Sequence, residues 1–221
     1  MSPRPARFAI VDYGAGNLVS IEQALTTVGV EASVVRSARE LADADALVVP
    51  GVGAAAPAME RLRAQDLVEP IRDWIGADRP YLGICLGLQL LFEGSDEDGA
   101  ETLGVLAGRT ERLVDGPTLP HIGWNQVERR PGPEHPLFAG IAPSADFYFV
   151  HSYAGVPHRG RAVDPTIATP THGASFVSAV ARSNLIGVQF HPERSGSDGL
   201  RLLANASALV GATTGRAAIP A

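Results

Sequence analysis

Apolar residues in the first half of the chain fall into short runs separated by stretches of helical spacing. Phe8 to Val11, Glu31 to Val35, Ala46 to Val49 and Tyr81 to Ile84 read as four strands, the third expected to end at Pro50-Gly51. Between the first two, Leu18, Ile21, Leu25 and Val28 form the i, i+3, i+7, i+10 stripe of a helix over Leu18 to Val28. Met59 to Ile75 carries helical spacing with a break near Gln65, and Leu86 to Phe92 is apolar and helix-like. Strands alternating with helices of this length predict βαβ units and a parallel sheet.

The second half has a different rhythm. Short alternating runs occur at Arg109 to Val114, Trp124 to Val127, Phe147 to Val150 and Ser175 to Val180, with proline dense from Pro117 through Pro170. That pattern predicts antiparallel strands and long loops beside the parallel core. Leu185 to Phe190 reads as a further strand. A last helix is expected over Ser197 to Val210 with Ser197 as its N-cap, and Gly215 to Ala221 as a frayed tail. The expectation is an α/β fold in which a mostly parallel central sheet is flanked by helices and extended by an antiparallel region, all in one domain over residues 1–221.

Composition narrows the function. The chain has 221 residues, 45% hydrophobic and 19% charged, with a net charge of −6. Its longest basic cluster is Arg129-Arg130, too little to neutralise a phosphate backbone, so nucleic acid is not the expected partner. The early apolar run Phe8 to Val11 is too short for a signal sequence or a membrane span. One cysteine permits no internal disulfide, which fits a reducing cytoplasm. Gly14-Ala15-Gly16 after the first strand lacks the third glycine of a dinucleotide loop, since Val19 stands there. Neither cofactor nor metal is expected.

That cysteine, Cys85, lies in Gly83-Ile84-Cys85-Leu86-Gly87, where a strand gives way to a helix. A sharp turn around a nucleophile crowds its neighbours, so glycine at both flanks suits a nucleophile elbow. A helix N-terminus just beyond it favours the thiolate. A cysteine nucleophile needs a base and a group to orient that base. Of the six histidines, His121, His135, His151, His158 and His172 have no acidic residue two positions on, whereas His191 ends an apolar strand and continues as His191-Pro192-Glu193. Proline restrains His191 to extended backbone, which turns Glu193 to the same side. Pro50-Gly51-Val52-Gly53-Ala54 offers a glycine-bearing turn for an oxyanion donor, and the Leu86 N–H at the elbow offers another.

Gly83 to Gln89 together with Val188-Gln189-Phe190-His191-Pro192-Glu193 resembles the class I, triad-type glutamine amidotransferases. Asp12 to Leu18, Pro50 to Ala54, Pro120-His121-Ile122-Gly123-Trp124-Asn125, Phe149 to Tyr153 and Arg194-Ser195-Gly196 resemble, within that family, the glutaminase subunits of imidazole glycerol phosphate synthase. The likeness spans about Phe8 to Val210. It implies a flavodoxin-like fold and a glutaminase in which Cys85 attacks the glutamine carboxamide, His191 moves the proton and Glu193 orients His191. It implies an oxyanion hole from Gly53 and Leu86, and glutamine recognition by Gly51, Val52, Gln89, Glu97, His151, Ser152 and Tyr153. It further implies that ammonia passes to a HisF-type (β/α)8-barrel cyclase, which turns the ribulosyl nucleotide PRFAR into imidazole glycerol phosphate and AICAR. Asn17, His121, Gly123, Trp124, Asn125 and Arg194 would lie at that interface.

Three departures accompany the resemblance. Ala55-Ala56 stands where an aromatic and a glycine are usual, Arg194 replaces a lysine, and His172 replaces a tyrosine. A glutaminase subunit of another class I amidotransferase, such as that of pyridoxal phosphate synthase, has the same triad and is the alternative. Pro120 to Asn125 argues against it.

Overall fold

The computed structural model describes residues 5–114, 119–158, 164–170 and 176–214. His172, the start of the run expected at Ser175, and the tail from Gly215 lie outside the described residues. The first half runs β1 (Arg7–Val11), α1 (Leu18–Thr27), β2 (Glu31–Val35), α2 (Ala38–Leu41), β3 (Ala46–Gly51), α3 (Ala55–Ala64), α4 (Val68–Gly76), β4 (Tyr81–Cys85) and α5 (Leu86–Gln89). The second half runs β5 (Gly94–Ser95), β6 (Gly108–Arg112), β7 (His121–Arg129), β8 (Asp146–His151), β9 (Tyr153–Pro157), β10 (Thr166–Pro170), β11 (Ala179–Arg182), β12 (Leu185–Val188) and α6 (Gly196–Thr214).

Among the described residues nine strands form one sheet in the order β2-β1-β3-β4-β12-β11-β10-β7-β8. From β2 to β12 all neighbours are parallel, and from β12 to β8 all are antiparallel. β5, β6 and β9 make a separate three-stranded sheet. The parallel strands are covered on both faces, which is why β3 and β4 are buried throughout. One apolar cluster joins α1 and α6 to one face through Ile21, Leu25, Leu202 and Leu203. The other joins α3 and α4 through Met59, Leu62, Ile71 and Trp74.

Several boundaries differ from the sequence expectation. β3 continues through Pro50 and Gly51, which pair with Ile84 and Cys85. The break between α3 and α4 falls at Gln65, as expected, and Asp66 beyond it has φ +54°. α5 is only four residues long, against the seven from Leu86 to Phe92. The backbone N–H groups of Leu103, Gly104, Val105 and Leu106 take the carbonyls of Leu90, Leu91 and Phe92, which a continuing helix would have used itself. α6 begins at Gly196, and its first backbone bond runs from the Gly199 N–H to the Ser195 carbonyl, so Ser197 lies inside the helix. β9 and β10 were not expected, since proline and mixed polarity mask their alternation.

One contact fixes where the sheet presents its chemistry. A side chain at Gly87 would drive its Cβ into the Val49 carbonyl, and one at Gly83 would meet the Gly87 carbonyl oxygen at 2.6 Å. α5 therefore lies directly on β3 and β4 because both residues lack a side chain. Gly76, at the end of α4, faces open space with no left-handed backbone. Gly87→Ala is expected to cost about 3 kcal/mol or more in urea unfolding. Gly76→Ala is expected to be neutral or stabilising by up to ~1 kcal/mol. Equal effects of the two would contradict this packing.

Candidate active site

Cys85 closes β4 at φ +54°, ψ −110°, a backbone that side-chain-bearing residues adopt only when the surroundings impose it. Such a residue stores on the order of 1–3 kcal/mol. The glycines at 83 and 87 are the spacing anticipated for an elbow, and the close packing described above is its cause. Leu86 opens α5, so its N–H has no acceptor within the helix.

β12 lies parallel to β4 with Val188 opposite Ile84. Residues 189 to 193, which follow β12, and Cys85, the last residue of β4, thus emerge at the same C-terminal sheet edge, where open α/β sheets hold their ligands. Pro192–Arg194 forms a 3-10 turn rather than extended chain, and His191 alone keeps extended backbone. The turn still brings His191 Nδ1 to 2.9 Å from Glu193 Oε1. Ser195 clamps it, its hydroxyl donating to the His191 carbonyl at 2.6 Å and accepting from the Tyr148 N–H at 3.0 Å. The His191 N–H donates to the Tyr148 carbonyl at 2.9 Å.

His191 is 5% exposed and Cys85 also 5%. Burial disfavours the imidazolium, but Cys85 and Glu193 outweigh it and raise the His191 pKa to about 10. His191 Nε2 and Glu193 Oε2 are buried and close no hydrogen bond among the described residues. The sulfur is nonetheless near enough to favour the protonated ring. This set can hold a thiolate beside an imidazolium and pass a proton between sulfur and a leaving group.

A second network also reaches the sulfur. Gln89 Nε2 donates to the Tyr153 carbonyl at 2.8 Å and to Gln189 Oε1 at 3.1 Å. Gln189 Nε2 donates to Cys85 Sγ at 3.6 Å. Both hydrogens of the Gln89 amide are thus spent within the protein, leaving its oxygen as the acceptor for a ligand. His151 is also used internally: Nδ1 donates to the Tyr153 carbonyl at 2.9 Å, so Nε2 accepts from His121 Nδ1 at 3.3 Å. Burial lowers the His151 pKa to about 4. Ser152 and Tyr153 are half-buried. Glu97 is exposed on the β5–β6 connection, its carboxyl raised by desolvation and by Asp98.

The Pro50 to Ala54 turn stands above this edge. Gly51 pairs with Cys85, Gly53 has φ +90°, and Val52 is 49% exposed. Tyr13, fully buried, donates its hydroxyl to the Pro50 carbonyl at 2.7 Å. A Cβ at Gly51 would collide with that hydroxyl. Asp98 accepts from the Ala56 N–H at 2.6 Å, so the loop carrying Glu97 caps α3 across from Ala55-Ala56. Sequence reasoning singled out neither Tyr13 nor Gln189. Gln189 sits in the quoted strand-end motif, and the only further signal was its place two residues before the histidine.

Of the residues expected at a partner surface, Trp124 is 57% exposed and stacks edge-on against Tyr148 at 5.9 Å, while Arg194 lies 4.1 Å above the Tyr148 ring. Ile122, 59% exposed, shares that face by strand alternation. Asn17 is exposed and caps α1, its oxygen accepting from the Ser20 N–H. Gly123 has φ +142°. Asn125 departs from the expectation: alternation turns it to the opposite face from Trp124, and it is buried.

Comparison with known proteins places this arrangement. The family model for glutamine amidotransferase class-I matches residues 9–208, and the chain belongs to that family. Solved structures share the fold: one described as a glutamine amidotransferase has a TM-score of 0.70 at 23% identity, covering 92% of this chain and 98% of that one. A glutamine amidotransferase of Thermotoga maritima has a TM-score of 0.62 at 17% identity, covering 96% and 86%. Among curated proteins, imidazole glycerol phosphate synthase subunit HisH of Symbiobacterium thermophilum is 48% identical over 90% of this chain and 92% of its own length. The subunit of the same name from Thermosynechococcus vestitus is 47% identical over 91% and 96%. Within the class-I amidotransferases, the chain thus belongs with the HisH subunits. Among the described residues no helix is long and apolar enough to cross a membrane.

The geometry generates two predictions. Glu193→Gln removes the charge that orients and charges His191. It is expected to lower kcat for glutamine hydrolysis about a hundredfold or more with little change in KM. A kcat within threefold of wild type would contradict the assignment. His151, held neutral by burial, predicts acid sensitivity. Its folded pKa of about 4 lies below the unfolded value of about 6.5, so the unfolded chain takes up the proton first. The stability it contributes is present above pH ~6.5 and lost as pH falls toward 4. His151→Gln is expected to flatten that limb by up to about 1.4 kcal/mol per pH unit, read by urea unfolding between pH 7 and 5. An unchanged slope would count against it.

Proposed function

We propose that this chain is the glutaminase subunit of an imidazole glycerol phosphate synthase, built as a single amidotransferase domain. The observation that carries the chemistry is the strained Cys85 beside a buried His191–Glu193 pair. Cys85 attacks the glutamine carboxamide carbon. The developing oxyanion takes the N–H groups of Leu86 and, across the Pro50 to Ala54 turn, Gly53. His191 delivers its proton to the departing ammonia, leaving a γ-glutamyl thioester that water hydrolyses to glutamate. Glu193 keeps the imidazole in the tautomer that serves both steps.

Glutamine recognition follows from which polar atoms are free. The Gln89 oxygen and the Glu97 carboxylate accept from the substrate ammonium. Gly51, Val52 and the 151–153 segment contribute backbone, since the His151 ring nitrogens are already engaged. Ammonia then passes to a HisF-type (β/α)8 cyclase, which uses it with PRFAR in histidine biosynthesis. Trp124, Ile122 and Arg194, with the half-buried Tyr148, form an aromatic and cationic patch suited to that docking, and the family likeness adds Asn17, His121 and Gly123 to the interface. No cofactor enters the reaction, and the setting is the cytoplasm.

The oxyanion turn is the point of control. Gly53 has φ +90°, and a Cβ built there would meet nothing within 4 Å, so the turn has open space on that side. The free subunit is expected to present no competent Gly53 donor and to turn over glutamine slowly. Addition of a HisF-type cyclase with its nucleotide is expected to raise turnover at least tenfold, and Cys85→Ser is expected to abolish it. Full activity in the free chain, or activation by a pyridoxal phosphate synthase barrel instead, would overturn this. Trp124→Ala is expected to weaken cyclase binding about tenfold or more by calorimetry.

A further inference from the structure

A nucleophilic sulfur at Cys85 calls for more than the helix that follows it. α5 is a single turn, so its summed peptide dipole is small. His191 supplies positive charge nearby. The described structure also places the side-chain amide of Gln189 against the sulfur, with Nε2 at 3.6 Å from Sγ. Gln189 has no solvent exposure and Gln89 only 5%. A buried amide is tolerated where its hydrogen bonds are made.

The direction of this bond follows from chemistry. The Tyr153 carbonyl can only accept, so the nitrogen end of Gln89 must face it. The second hydrogen of that nitrogen then goes to Gln189, whose oxygen must turn toward Gln89. That leaves the Gln189 nitrogen, and therefore a donor, against Cys85. A backbone carbonyl two residues past His151 thus sets, through two glutamines, the polarity of the group that faces the nucleophile.

We propose that Gln189 is a further catalytic residue of this site, its amide donating to the Cys85 sulfur and stabilising the thiolate alongside His191. The proposal rests on Cys85 being the glutaminase nucleophile. A donor facing sulfur binds a thiolate more strongly than a neutral thiol, because the bond is charge-assisted. The same bond stabilises sulfur when the thioester releases glutamate and the electron pair of the C–S bond returns to the thiolate. Gln89 serves two ends: its nitrogen aligns Gln189, and its oxygen remains for the substrate. Occupancy of the glutamine site and readiness of the nucleophile therefore share one side chain. Register makes this possible, since Val188 opposite Ile84 sets the residue after β12 beside the elbow.

The test uses the full chain, in which Cys85 is the sole cysteine, so thiol alkylation, the part absent from a Cys85→Ser control, reports on it alone. Iodoacetamide labelling is followed from pH 5 to 10 by intact mass for wild type, Gln189→Met and Gln89→Met, each with its thermal midpoint recorded. Gln189→Met keeps the volume and loses the donor. Its alkylation midpoint is expected to shift up by about one pH unit, with about tenfold slower labelling below the midpoint and a high-pH plateau within about twofold of wild type. In the complex with the cyclase, kcat for glutamine is expected to fall about tenfold with KM within about threefold. Gln89→Met, which frees the Gln189 oxygen, is expected to shift the midpoint the same way by a smaller amount. A residue that only packs would change the thermal midpoint and leave the labelling midpoint in place. Unchanged labelling midpoints in folded Gln189→Met overturn the proposal, and if that variant does not fold, Gln89→Met decides alone by the same criterion. Wild-type complex that labels normally but hydrolyses no glutamine would instead overturn the proposed function.

Discussion

The backbone of Cys85 lies at φ +54°, and most of the site depends on what holds it there. α5 is pressed onto β3 and β4 so closely that Gly83 and Gly87 admit no side chain. The contact turns the chain sharply at the end of β4, lifts the sulfur off the sheet edge and leaves the Leu86 N–H without a helical acceptor. An elbow strained by ~1–3 kcal/mol is sustained by the apolar packing around it, in which Leu86, Leu88, Leu90 and Leu91 are all buried. The strain is therefore borne by the core, and the chemistry is borne at its rim.

Topology does the rest. β12 returns beside β4 although a hundred residues separate them, and the parallel register puts both Gln189 and His191 close to the sulfur. The antiparallel strands beyond β12 bring His151 to the same edge, where Tyr153 of the smaller sheet follows it, and carry Trp124 and Tyr148, with Arg194 lying over the Tyr148 ring. Ser195 and Tyr148 tie the His191 turn to β8 by hydrogen bonds, so the base and the patch share one backbone clamp. A partner seated on the patch would lean on the segment that carries the base.

Much of this was legible in the sequence because it is local. The strand runs at Phe8, Ala46 and Tyr81, the stripe of α1, the break at Gln65 and the glycines around Cys85 each express a short-range constraint. What escaped is long-range. α5 stops after one turn because residues 103–106 take the following carbonyls, and nothing near Leu86 announces that. β9 and β10 carry proline and weak alternation, so their strand character comes from their neighbours. The pairing of His191 with Glu193 was anticipated from extended backbone, yet a 3-10 turn achieves it. Asn125 was grouped with Trp124 by motif, whereas strand alternation separates them. Gln189 gave no signal as a contact of Cys85 because that contact exists only once β12 pairs with β4.

The central claim is that the strained Cys85 becomes covalently acylated by glutamine. Acid-quenched intact-mass analysis of the subunit, turning over glutamine with its cyclase and nucleotide present, tests it most directly. The account predicts a γ-glutamyl adduct that peptide mapping places on Cys85. Steady hydrolysis of glutamine with no adduct at any quench time, or an adduct on another residue, would contradict it.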